Sequence, residues 1–240
     1  MQYKQIEPSS RRLLISVHIP KTAGTSLMSE FKRGIFGNYM LDYVDRPTSI
    51  RLRYLVRRLF SRFQARINQE KLLRDYGVIH GHFQVKKYVF LYPHADFLSF
   101  MREPVARVLS HYYYFKHVAS KNPTSVSRNP DIMRVARGDI DLVEFARLYS
   151  MVNLYGLFTD GLSLDKYALI GITERYAESI AMLNRIFNTN IVTRHEHRTD
   201  YMQYASEYSH LLPDLKNANR DNIRIYNAAV GLFEQRLSKG

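Results

Sequence analysis

Leu13-Leu14-Ile15-Ser16-Val17 is a short apolar run closed by Pro20 and Gly24, with Leu27, Phe31 and Ile35 recurring at helical spacing behind it. A run of that length between breakers is a buried strand, not a helix. Thr25 or Ser26 stands where a hydroxyl caps a helix reaching about Phe36. This strand–loop–helix unit narrows the fold more than any other stretch. It aims backbone N–H groups and the positive end of a helix dipole at one point. Lys21 and the hydroxyls of Thr22, Thr25 and Ser26 add donors there. The loop therefore suits an anion. It is not a Walker A loop, whose lysine follows its last glycine, because Lys21 precedes Gly24.

Three more short apolar runs, near residues 77–81, 96–101 and 168–172, alternate with helical patterns. That alternation predicts an α/β class: a P-loop-like three-layer fold with a parallel sheet of about four or five strands flanked by helices. Ligands of such sheets bind outside the carboxyl ends of the strands. The 240 residues read as a single domain, 1–240, with the first ten or so residues as a tail. No repeat or low-complexity tract divides them.

Two segments end at the predicted ligand edge. Gly77-Val78-Ile79-His80-Gly81-His82-Phe83 is a strand running into a loop. Its two histidines, His80 and His82, stand two apart on extended chain. Each is compatible with a structural role, and a metal site lacks a third ligand nearby. Asp96 to Met101 is a buried strand followed by Arg102-Glu103-Pro104-Val105-Ala106-Arg107-Val108-Leu109-Ser110. Pro104 suits a first helical turn. Arg102 at the strand tip suits either a bidentate phosphate contact or a capping salt bridge.

Elsewhere, residues 51–74 carry eight Lys or Arg and one Glu, with Leu52, Leu55, Leu59, Phe63 and Ile67 at helical spacing. This basic amphipathic helix is either a surface for a polyanion or an ordinary helix packed by its apolar stripe. Residues 118–138 read as a long polar loop, and 139–149 as a helix. Thr173 caps a helix from Glu174 to Phe187, where the position of Glu174 in the first turn needs no chemistry to explain it. Arg194 to Thr199 is a basic loop, and residues 219–237 form a terminal helix.

The formal charge of +13 favours anionic partners. With no cysteine there is no disulfide framework. No stretch has the length and apolarity of a membrane span, and the N-terminus lacks an apolar leader core, so the expectation is a soluble, cytoplasmic protein.

Pro20-Lys21-Thr22-Ala23-Gly24-Thr25-Ser26 after His18-Ile19 resembles the 5′-phosphosulfate loop of sulfotransferases, particularly the carbohydrate sulfotransferases related to heparan sulfate 2-O-sulfotransferase and their bacterial counterparts. Arg102 to Tyr114 resembles the 3′-phosphate motif of that family, where the first Arg and the Ser eight positions on hold the ribose phosphate. Ile170-Gly171-Ile172-Thr173-Glu174-Arg175 resembles its third recurring segment. The resemblance runs from Leu13 to about Glu178. It implies 3′-phosphoadenosine 5′-phosphosulfate (PAPS) as donor, with its product PAP, and no metal. It implies a hydroxyl acceptor, on a sugar or glycoconjugate, an acidic one included, and no nucleic acid. His82, the second histidine of the His-Gly-His segment, takes the role of catalytic base and His80 a supporting one. Lys21 meets the departing 5′-phosphate. Lys21, Thr22, Ala23, Gly24, Thr25 and Ser26 hold the 5′ end, and Arg102 and Ser110 the 3′-phosphate. Arg198, in the late basic loop, is a further candidate for the nucleotide. Two alternatives remain: a noncatalytic polyanion or nucleic-acid binder, and a P-loop-like kinase.

Overall fold

The computed structural model describes residues 12–45, 47–49, 51–121, 130–192 and 208–239. Five parallel strands, β1 (Leu14–Val17), β2 (Tyr39–Asp42), β3 (Val78–Gly81), β4 (Asp96–Met101) and β5 (Leu169–Ile172), form one sheet in the order β2-β3-β1-β4-β5. The helices, in order, are α1 (Gly24–Lys32), α2 (Leu52–Ile67), α3 (Gln69–Asp75), α4 (Pro104–Lys121), α5 (Pro130–Arg137), α6 (Leu142–Ala146), α7 (Tyr149–Val152), α8 (Leu154–Thr159), α9 (Tyr176–Phe187), α10 (Leu212–Ala218) and α11 (Arg220–Leu237). Among the described residues, no helix is long and apolar enough to cross a membrane.

Every residue of β1 is buried, as a central parallel strand covered on both faces must be. Ser16 pairs with His80 on one side and Leu98 on the other, which levels the carboxyl ends of three neighbouring strands. The sheet core includes Ile15, Val17, Ile79, Leu98, Phe100 and Leu169, each nearly inaccessible. A side chain of this kind contributes about 1.5–3 kcal/mol on burial. A second cluster of Val108, Tyr112, Phe115, Val135, Phe145 and Leu215 packs α4 against α5, α6 and α10. It seats the helix that carries Ser110.

Several local expectations change. α1 starts at Gly24 with Ala23 as its left-handed cap, and no side chain caps it, so neither Thr25 nor Ser26 has that role. β2 lies between Gly37 and Thr48, a stretch whose Asp45-Arg46-Pro47 turn signal favours a loop: its Tyr-Met-Leu-Asp is short and half-exposed at the sheet edge, without the continuous apolar run of a central strand. α4 continues to Lys121 and α5 occupies 130–137, which shortens the expected long loop. The 139–149 helix resolves into α6, closed by an Asp141/Glu144 capping box, and α7. Thr173 opens a 3-10 turn and gives its hydroxyl proton to the Met101 carbonyl (2.9 Å) instead of capping α9.

The largest reversal is α2. The expected helix breaks at Asn68 into α2 and α3, and its apolar stripe faces outward, with Leu59 and Phe63 66% and 59% exposed. Ser61 and Ala65 are the buried side. Polar anchors hold that side in. Lys87 donates to the Ser61 hydroxyl, Arg58 to the carbonyls of Pro47 and Ser49 (3.3 and 2.8 Å), and Arg62 to Gln84 Oε1 (2.7 Å). Charged hydrogen bonds of this sort contribute roughly 1.5–3 kcal/mol each.

Candidate active site

The loop after β1 is built on strained backbone. Lys21 and Ala23 both take positive φ, 69° and 68°. Left-handed conformations cost non-glycine residues of order 1–3 kcal/mol each and collect where a loop must present its N–H groups. The Thr22 hydroxyl closes the turn by donating to the Ile19 carbonyl (2.8 Å), so its proton is committed inside the loop. The N–H groups of Gly24, Thr25 and Ser26 open α1 with neither intrahelical carbonyls nor a side-chain cap. Gly24 is glycine because a Cβ there would lie 1.9 Å from His18 Nε2.

His18 gathers the two expected histidines. Its ring stacks on His80 with centroids 5.0 Å apart and meets His82 edge-on at 4.4 Å. The Tyr43 hydroxyl lies 3.1 Å from His18 Nδ1, and its ring lies 4.7 Å from that of His82. Residues two apart on extended chain share one side, and His80 and His82 accordingly both flank His18. His80, fully buried, is fixed by Ser16 Oγ at Nδ1 (2.9 Å), while its Nε2 is buried without a partner. Burial lowers His82 to about 4. Burial, then the charge of His82, lowers His80 to about 3. His18 falls well below its ordinary 6.5 through burial, then His82, His80 and Lys21. All three are neutral imidazoles at pH 7, able to accept a proton. Among the described residues, no group of three His, Cys, Asp or Glu side chains is arranged to hold a metal ion.

A cationic wall faces them. Burial, then the charge of Arg102, brings Lys21 down to about 8. The Lys21 ammonium sits 4.2 Å from the Tyr114 ring centroid on α4. Arg102, at the tip of β4, is held from behind: its N–H reaches the Tyr155 hydroxyl (3.1 Å), which donates to its carbonyl, and the Tyr155 N–H bonds Asn222 Oδ1 (3.0 Å). Glu174 sits 3.8 Å from Arg102 Nε and also accepts the Glu103 N–H (2.9 Å) and the Tyr226 hydroxyl (3.1 Å). A residue read as a helix-end charge thus braces the arginine. Arg107 is fully buried, with its Nη2 3.5 Å from the Met151 carbonyl and its Nε without a partner. Ser110 and His111 are buried beside one another on α4. Burial, then Arg107, Lys21 and His82, keeps His111 well below its ordinary value.

The structure therefore has Lys21, Thr22 and Ala23 in the loop and Gly24 and Ser26 in the first turn of α1, and sets His80 and His82 on one flank. Arg102 stands on the other, with Lys21 within reach of its charge. Thr25 lies in the first turn of α1 and Ser110 within α4. Arg198 lies outside the described residues. Sequence reasoning assigned nothing to His18, Tyr43, Arg107, His111 or Tyr114. His18 stood beside the loop segment and was the most accessible of these signals, whereas Tyr43 directly follows the unrecognised edge strand.

No protein-family model matches the chain, and no curated protein matches it. Among solved structures it is similar to a sulfotransferase from Alicyclobacillus acidocaldarius, 13% identical, with 88% of this chain and 96% of that one covered and a TM-score of 0.43. It is also similar to mouse sulfotransferase SULT7A1 complexed with PAP, 11% identical, with 83% of this chain and 65% of that one covered and a TM-score of 0.38. Likenesses this remote leave the reading of the site to its own residues.

Proposed function

We propose that the chain is a sulfotransferase that moves the sulfuryl group of PAPS to a hydroxyl on a carbohydrate or glycoconjugate. The observation that carries this reading is Lys21: its proton affinity is lowered first by burial and then by Arg102 at the tip of the adjacent strand, and no carboxylate pairs with it among the described residues. Like charges held together in low dielectric call for an anion between them. The uncapped N–H groups of α1 and the positive-φ loop offer further donors to the same anion. A donor with phosphate at both ends of its ribose suits two cationic points on adjacent strands. The resemblance of both motifs to those of the sulfotransferases supplies its identity.

When bound, the donor supplies an activated sulfuryl group. Lys21 and the loop amides meet the negative charge that grows on the 5′-phosphate as its bond to sulfur breaks, favouring the transition state over the ground state. Arg102, with Ser110, holds the 3′-phosphate. His82 takes the acceptor's hydroxyl proton as oxygen bonds sulfur. His80, tied to Ser16, keeps the imidazole cluster in place. The low value of His82 belongs to the ligand-free site, and an anionic donor beside it raises that value toward the range suited to a base.

The test is transfer of labelled sulfate from PAPS across carbohydrate acceptors. His82→Ala should lower turnover at saturating donor by about 10²–10⁴ while leaving PAP binding by calorimetry intact. Turnover like that of the unaltered chain would remove His82 as base. Failure of the unaltered chain to bind PAP would remove the whole reading.

A further inference from the structure

We propose that α2 is an interfacial helix that seats this face of the protein on a bilayer containing anionic lipid. Leu52, Val56, Leu59, Phe60, Phe63 and Ile67 form a continuous crest, each 57–75% exposed. Monomeric surfaces scatter single apolar residues, whereas a contiguous stripe of large ones marks an interaction site. At about 100° per residue, the crest lies opposite the buried Ser61 and Ala65. Arg53 and Arg57 border it on one side and Arg66 on the other, all exposed. No acidic residue occurs from Leu52 to Ile67. An apolar ridge flanked by arginine on both sides has the cross-section of a helix lying in a headgroup layer, with guanidinium groups at phosphate level.

The helix is built to stay in this orientation. Arg58, Ser61 and Arg62 fasten its inner side to Pro47, Ser49, Lys87 and Gln84. At 16 residues, with five arginines, it is too short and too charged to span a bilayer. Charge decides among occupants. A second copy docked about a two-fold axis would set arginines against arginines with no acid on either helix. A nucleic acid or acidic glycan would satisfy the arginines and leave the crest in water. An anionic bilayer satisfies both. The proposal does not depend on the sulfuryl-transfer reading, since it uses none of that site's residues.

The test is sedimentation of the full chain with phosphatidylcholine vesicles containing 30% phosphatidylglycerol. The chain should bind, and its partitioning should fall at least tenfold on phosphatidylcholine alone. Leu59→Glu combined with Phe63→Glu should also cost at least tenfold, with the thermal melt unchanged because both side chains are exposed. Arg53→Gln should cost about fivefold. Unaltered vesicle binding by the double variant would overturn the proposal. So would no vesicle binding accompanied by retention on heparin, which would assign the face to a polyanion. A dimer that the double variant converts to monomer, again without vesicle binding, would assign it to a second copy.

Discussion

Lys21 and Lys87 are both withdrawn from bulk water, and their surroundings are opposite. The Lys87 side chain, 2% exposed, donates to Asp42 and Asp45 and to Ser61, and Tyr88 adds a hydrogen bond to Asp42 (2.8 Å). Lys21 has the Tyr114 ring beneath it and Arg102 close enough to lower its proton affinity. The first cation is neutralised by its own chain and ties β2, the segment after it, α2 and the 3-10 turn at Val85–Lys87 together. The second is left for something that arrives. A buried charge with its counterions built in is structural, and one facing like charge is a candidate to receive its counterion from outside.

Removing each cation is the strongest way to break that contrast. Lys87→Met strands two buried carboxylates and should cost about 3–5 kcal/mol in urea unfolding. Lys21→Met should leave the midpoint unchanged or raise it, because folding already disfavours that ammonium. Equal losses from the two would end the distinction. Next in size, Arg102→Ala should weaken PAP by the worth of a charged hydrogen bond, about 1.5–3 kcal/mol, and leave the analogue without the 3′-phosphate unaffected in calorimetry. An unchanged affinity ratio would free Arg102 of that role.

The smallest effect is in pH. Lys21 has a folded value of about 8, below its ordinary 10.5, so between these the unfolded chain holds more protons and this group's contribution to stability rises with pH. Donor capture needs the charged form, so kcat/KM should halve near pH 8 as stability improves. Lys21→Arg should abolish that alkaline limb. Loss of activity and of stability together above pH 8 would contradict the assignment.

The strand–loop–helix unit of β1 and α1 was legible in sequence because its parts are contiguous. Arg102 was legible because Pro104 marks where a helix starts behind a buried strand. Central strands announced themselves by unbroken apolar runs, whereas β2 at the edge did not. For α2, periodicity gave the stripe but could not give its direction, since Arg58, Ser61 and Arg62 find their partners in other segments. Arg107 and His111 carried no local mark, because what sets them apart is burial near one another in the folded chain.

Sequence alone determined the α/β class, the strand–loop–helix unit at β1 and α1 and which residues end the central strands, because these depend on periodicity and on neighbours along the chain. Tertiary structure alone decided that Lys21 faces an arginine while Lys87 faces two aspartates, and that a leucine-rich stripe points to solvent. Electrostatic and packing energies depend on distances through space, and those were not available until the strands had taken their order.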